Sequence, residues 1–160
     1  MAHGVDLTAI HPAVEAGVNK QDLEGLMALY AQNASMILLD GTTVTGLQAI
    51  REQWAGILAM NGRMTVRSRY AIEAGDLAIL SNEWTMTVGD ETLCAVTAEV
   101  AQRQPDGGWL YLIDHPFASL EPDEVAALLA AIAPPGAEAG RLGLDPDQCS
   151  RNYRGKPVEY

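Results

Sequence analysis

Two polar side chains in this sequence stand where proton chemistry could be done. Asp40 closes the apolar run SMILLD just before Gly41, and His115 lies near the end of GWLYLIDHPFA. A carboxylate beside apolar surface loses solvation, which disfavours its charged form and brings its proton affinity toward that of a carbon acid. A histidine titrates near neutral pH and can serve as acid, base or hydrogen-bond donor. Each residue also has a plain structural reading: Asp40-Gly41 as a turn, His115 bonded to a backbone carbonyl near a strand end. Strand alternation groups His115 with Tyr111, Ile113 and Phe117 and turns Asp114 to the opposite face.

Other chemistries lack their signatures. There is no HExxH, no glycine-rich phosphate loop, no GxSxG elbow, and LDPDQ has no calcium loop around it. A metal would need Asp40, His115 or His11 and a glutamate to converge through folding alone, so neither metal nor cofactor is expected. Cys94 and Cys149 are far apart and in no CxxC arrangement, and both read as reduced thiols, with no disulfide framework or zinc site.

Composition narrows the partners. A chain of 160 residues with 48% hydrophobic and 19% charged residues can bury a core of its own. No apolar run is long enough for a membrane span, and the start MAHGVDLTAI does not resemble a secretory signal, so the expected compartment is the cytoplasm. The formal net charge of −11 repels phosphate backbones and speaks against nucleic acid.

The elements that must position these residues follow from periodicity. Leu7, Ile10, Val14 and Val18 predict a first helix, with Asp6 as its N-cap. Leu23, Leu26, Met27 and Tyr30 predict a second, ending near Asn33, and SMILLD a strand. Leu47, Ile50, Trp54, Ile57 and Leu58 form the stripe of a third helix that stops at Asn61-Gly62. From Met64 the texture changes to alternating β-branched and polar residues, broken at Gly75-Asp76, Gly89-Asp90 and Pro105-Asp106-Gly107-Gly108. That is a meander of antiparallel hairpins, and helices before strands give an α+β class. On the strand containing Asn82, Trp84 and Met86 should point inward with it. Glu83 and Glu99 should point outward, opposite Arg67 or Arg69. After residue 118 a short helix is predicted, with Val125, Leu128, Leu129 and Ile132 as its stripe, followed by an aperiodic tail to Tyr160.

The words NKQDLEGLMALYAQNASMILLDG, GLQAIREQW, GDLAILSNEWTMT and AEVAQRQPDGGWLYLIDHPFA, in this order, resemble a SnoaL-like domain of the nuclear transport factor 2-like superfamily, which includes ketosteroid isomerases and polyketide cyclases. The resemblance spans roughly residues 8 to 118, about one domain. It implies a conical α+β barrel over residues 1–118, in which a curved antiparallel sheet is closed by three N-terminal helices around a pocket. Residues 119–160 would be a helix and tail packed on the barrel or on a partner subunit. It also implies a homodimer through the outer sheet face, where Leu110 and Leu112 are apolar.

By the same resemblance Asp40 matches the strand end that carries the catalytic carboxylate of ketosteroid isomerases. His115 would face the pocket as acid or orienting group, and Tyr30, Trp54, Trp84, Met86 and Phe117 would contact the substrate. The chain departs from those enzymes at their oxyanion hole, a tyrosine with a protonated aspartate, because the corresponding positions fall at Val14 and near Val100. The expectation is cofactor-free proton transfer (isomerisation, cyclisation or dehydration) on a small, largely apolar metabolite. The alternative is a non-catalytic ligand-binding or dimerisation module, since one fold hosts both.

Overall fold

The computed structural model describes residues 3–120; the helix and tail expected beyond residue 120 lie outside the described residues. A single 3-10 turn, Leu7–Ala9, leads into α1 (Ile10–Asn19), followed by α2 (Leu23–Met27), β1 (Tyr30–Ile37), β2 (Thr43–Thr45) and α3 (Leu47–Ala59). The meander then runs through β3 (Arg63–Ala74), β4 (Leu77–Val88), β5 (Glu91–Val96), β6 (Ala98–Arg103) and β7 (Trp109–His115). The α+β class stands.

The strands form one unclosed sheet in the order β2-β1-β7-β6-β4-β3, with β5 also paired to β4. It is mixed, because β1 runs parallel to β7 while the other pairs are antiparallel. The sheet is curved, as expected, but the expectation that it is wholly antiparallel is corrected: it is mixed and unclosed. The curvature has a visible source: the first half of β4 pairs with β6 and the second half with β5, while β3 follows β4 throughout. Between β5 and β6 the chain breaks at Thr97, whose N–H and hydroxyl are held by the backbone of Asn82.

The second helix ends earlier than its periodicity predicts. Asp22 caps it by accepting the Gly25 N–H at 2.9 Å, but after Met27 the chain turns into the sheet, and Tyr30 pairs with Tyr111 instead of completing a helical stripe. The sheet opposite gains an aromatic contact, which outweighs helix propensity at this boundary.

Two bulges reset side-chain parity. Ser68 pairs with Asn82 but Tyr70 with Ser81, so Arg69 is an extra residue in β3. Ala101 pairs with Tyr111 but Val100 with Ile113, so Leu112 is an extra residue in β7. A bulge lets one strand advance two residues against one, and every side chain beyond it changes face.

The helices and the inner sheet face enclose the core, which includes Ile10, Val18, Leu26, Ile50, Trp54, Leu80 and Tyr111. On the outer face Ile72, Ile79, Val100 and Ile113 fall in one cross-strand row, and Ile72, Ile79 and Ile113 are exposed. Leu110, expected to be uncovered there, is buried, and Leu112 is half-buried.

Candidate active site

Between the helices and the inner sheet face lies a cavity of ≈ 330 Å³, within the size range of small-molecule sites. Most of its wall is apolar. Trp54, Ile57 and Met60 come from α3, Trp84 and Met86 from β4, and Phe117 follows β7. Trp84 donates its indole N–H to the Pro116 carbonyl at 2.8 Å and meets the Phe117 ring edge-on at 5.9 Å. The inward alternation of Asn82, Trp84 and Met86 is as read from the sequence.

The polar part of the wall is built where β4, β6 and β7 lie side by side. Glu99 of β6 is directly opposite Asp114 of β7, and Asn82 of β4 reaches the same place. All three are buried. Asp114 Oδ2 accepts the Tyr30 hydroxyl at 2.5 Å, and the Tyr30 oxygen in turn accepts the Trp54 indole N–H at 3.1 Å. Glu99 Oε1 accepts the Asn82 amide at 2.9 Å and the Tyr111 hydroxyl at 3.4 Å. Its other oxygen, Oε2, is 2.7 Å from His11 Nε2, and His11 Nδ1 is 2.8 Å from the hydroxyl of Ser68, an exposed residue.

Burial is the first cause that moves the proton affinity of Asp114, and the negative charge of Glu99 is the second; together they push its pKa up to about 7, against the opposing effect of the Tyr30 hydrogen bond. Like charges directly opposite across a ladder repel, and here no solvent screens them. Burial and the neighbouring carboxylates also hold Tyr30 and Tyr111 well above the ordinary tyrosine range, so both remain neutral hydroxyl donors.

The sequence-derived site is therefore redistributed. Trp54, Trp84, Met86 and Phe117 line the cavity, and Tyr30 stands behind its wall as the donor to Asp114. Asp40 does not line it. It is exposed in the turn between β1 and β2, where one carboxylate oxygen accepts the Thr42 N–H at 2.9 Å and hydroxyl at 2.6 Å, which lowers its pKa. Gly41 completes that turn with φ +81°. His115 also lies outside the lining; it is half-buried, its pKa is lowered by burial, and its Nδ1 has no partner. The cause is the extra residue Leu112, which puts Tyr111 and Asp114 on the inner face and His115 on the outer one. Glu83 is where expected, 2.7 Å from Arg67 on the outer face, whereas Glu99 has the opposite parity from the one expected. His11 and Glu99 are residues that sequence reading did not assign to the site.

A cavity closed by helices over a curved mixed sheet, with its polar groups on the inner strand face, marks this as an α+β domain of the cone-shaped kind. The SnoaL-like domain model matches residues 13–109, and the chain belongs to that family. Among solved structures it is similar to a calcium/calmodulin-dependent protein kinase type II association domain from Thiobacillus denitrificans, at 22% identity and a TM-score of 0.62 over 74% of this chain and 98% of that one. It is also similar to a protein from Streptomyces avermitilis described as a dehydratase of the NTF2-like family (18%, TM-score 0.59, 69% and 91%). A ketosteroid isomerase-like protein from Erwinia carotovora atroseptica is a further neighbour (14%, TM-score 0.57, 68% and 90%). These likenesses concern the fold. No curated protein matches the chain.

Proposed function

We propose that the chain binds a small, largely apolar molecule in this cavity and moves a proton on it, with Asp114 as the working group. The observation that carries this reading is a carboxyl on an apolar cavity wall whose pKa lies near neutrality. A general base works best when its pKa is close to the working pH. The Trp54–Tyr30 pair fixes one oxygen of Asp114, and no donor among the described residues pairs with the other. In this reading Asp114 Oδ1 takes a proton from the substrate and returns it elsewhere on the same molecule, as isomerisation, cyclisation and dehydration all require. Asp40 is left with its turn.

The test needs no known substrate. A panel of apolar, enolisable ketones incubated with the protein in D₂O should include members that take up carbon-bound deuterium, and Asp114→Asn should slow that uptake by about 10²–10⁴-fold. Uptake equal in the protein and in Asp114→Asn across the panel would favour a non-catalytic binding module.

The exposed row Ile72, Ile79 and Ile113 is assigned to a second copy of the chain, because an uncovered apolar sheet face is normally an interface. No helix among the described residues is long and apolar enough to cross a membrane.

A further inference from the structure

The polar wall of the cavity is short of donors. Asn82 lines the cavity and is 4% exposed, and its Oδ1 has no hydrogen-bond partner. Turning the amide over would not help, because its nitrogen is the group that donates to Glu99 Oε1; the oxygen would then face a carboxylate. Asp114 adds a second acceptor, since Tyr30 serves only Oδ2. A buried acceptor left without a donor is costly, and a structure that keeps such groups on a cavity wall is suited to a guest that supplies them. The charged groups of the wall agree in sign. Glu52, Glu99 and Asp114 line the cavity, and none of the described lining residues is Lys, Arg or His.

We infer that the ligand of this cavity carries a hydrogen-bond-donating head, an alcohol or a protonated amine, on an apolar body, and that anionic molecules are excluded. The head donates to Asn82 Oδ1 and Asp114 Oδ1, while Trp54, Trp84 and Phe117 enclose the body. A carboxylate in the same place would meet two acceptors and the buried charge of a neighbouring acid with no cation to offset it. A bare carbonyl finds a donor only in the protonated form of Asp114 and none at Asn82 Oδ1. The inference rests on the cavity being the ligand site and does not require that Asp114 perform catalysis.

A series with one body and different heads tests it on the unmodified protein: tetralin, 2-tetralol, 2-aminotetralin, 2-tetralone and tetralin-2-carboxylate, titrated against the fluorescence of Trp54 and Trp84 and checked by calorimetry. The alcohol and the amine should bind roughly ten-fold tighter than tetralin, as expected for one well-placed hydrogen bond. The ketone should be weaker than the alcohol and the carboxylate the weakest. In Asn82→Leu the alcohol should lose its advantage over tetralin while tetralin itself still binds. A ketone or carboxylate that binds as tightly as the alcohol would overturn the inference and leave the cavity standing as a site of another chemistry. Failure of the whole series, tetralin included, would overturn the cavity reading and this inference together.

Discussion

The same strands of this domain treat acidic residues in opposite ways on their two faces. Outside, Glu83 is paired with Arg67 at 2.7 Å, with the arginine side chain largely in solvent. Inside, Glu99 and Asp114 face each other without an arginine or lysine among the lining residues, and hydroxyls, an amide and one histidine share the work of solvating them. The outer pair contributes little and defines no chemistry. On the inner face burial, and then the charge of Glu99 opposite, makes one carboxyl titrate near neutrality, so the strand face, more than the residue type, decides which acid can react.

The sharpest way to break this contrast is to remove one acid from each face. Glu99→Ala should lower stability by roughly 3–5 kcal/mol in urea denaturation, because it strips His11 and Asn82 of a buried partner. Glu83→Ala should cost at most about 1 kcal/mol. Similar losses from both would show that the faces are energetically alike.

A smaller effect is the pH dependence that Asp114 imposes. Its folded pKa of about 7 lies above the ordinary aspartate value of 3.8, so the folded state binds the proton more tightly than the unfolded one. This contribution is therefore fully present below the unfolded pKa and is lost as pH rises toward about 7. Relative to Asp114→Asn, the unmodified protein should lose melting temperature across that window. A constant difference between the two proteins would mean that Asp114 titrates normally.

On the outer face, Ile79→Lys should convert a dimer into a monomer in sedimentation at micromolar concentration, with ligand binding in the cavity retained. A monomeric unmodified protein would remove the outer row from consideration as an interface. The smallest change is expected from Asp40→Asn, which keeps the turn and should leave cavity binding and any deuterium exchange unaltered. A loss of exchange there would return the base to the position that family resemblance suggested.

Much of the fold could be read in advance because it depends on periodicity and turn chemistry. The α3 stripe ending at Asn61-Gly62 and the hairpin at Gly75-Asp76 are local signals, and the inward set Asn82, Trp84, Met86 lies on a long strand past any bulge of its own. The site was harder to read, because its residues are selected by events that leave no local signature. Leu112 is an unremarkable leucine until β6 fixes which residue of β7 is extra. The break at Thr97, in the middle of a continuous β-rich run, decides where Glu99 points. His11 had no partner in the sequence to make it conspicuous; Glu99 comes to it from 88 positions away. Tyr30 fitted a helical stripe, yet the sheet claimed it.

The extra residue in β7 also bears on how such a domain could change its chemistry. Asp114 and His115 are neighbours in sequence, and a single inserted position determines which of them faces the cavity. Removing one position beyond the bulge, with the bulge kept and neither side chain altered, would advance the end of the strand by one step and present an imidazole where there is now a carboxyl. A change in length of one residue would thus do what substitution does elsewhere: it would exchange the reactive group while leaving the apolar walls contributed by α3 and β4 in place. For a lineage carrying this bulge, an insertion or deletion in the last strand is a short route to a different reaction in the same container.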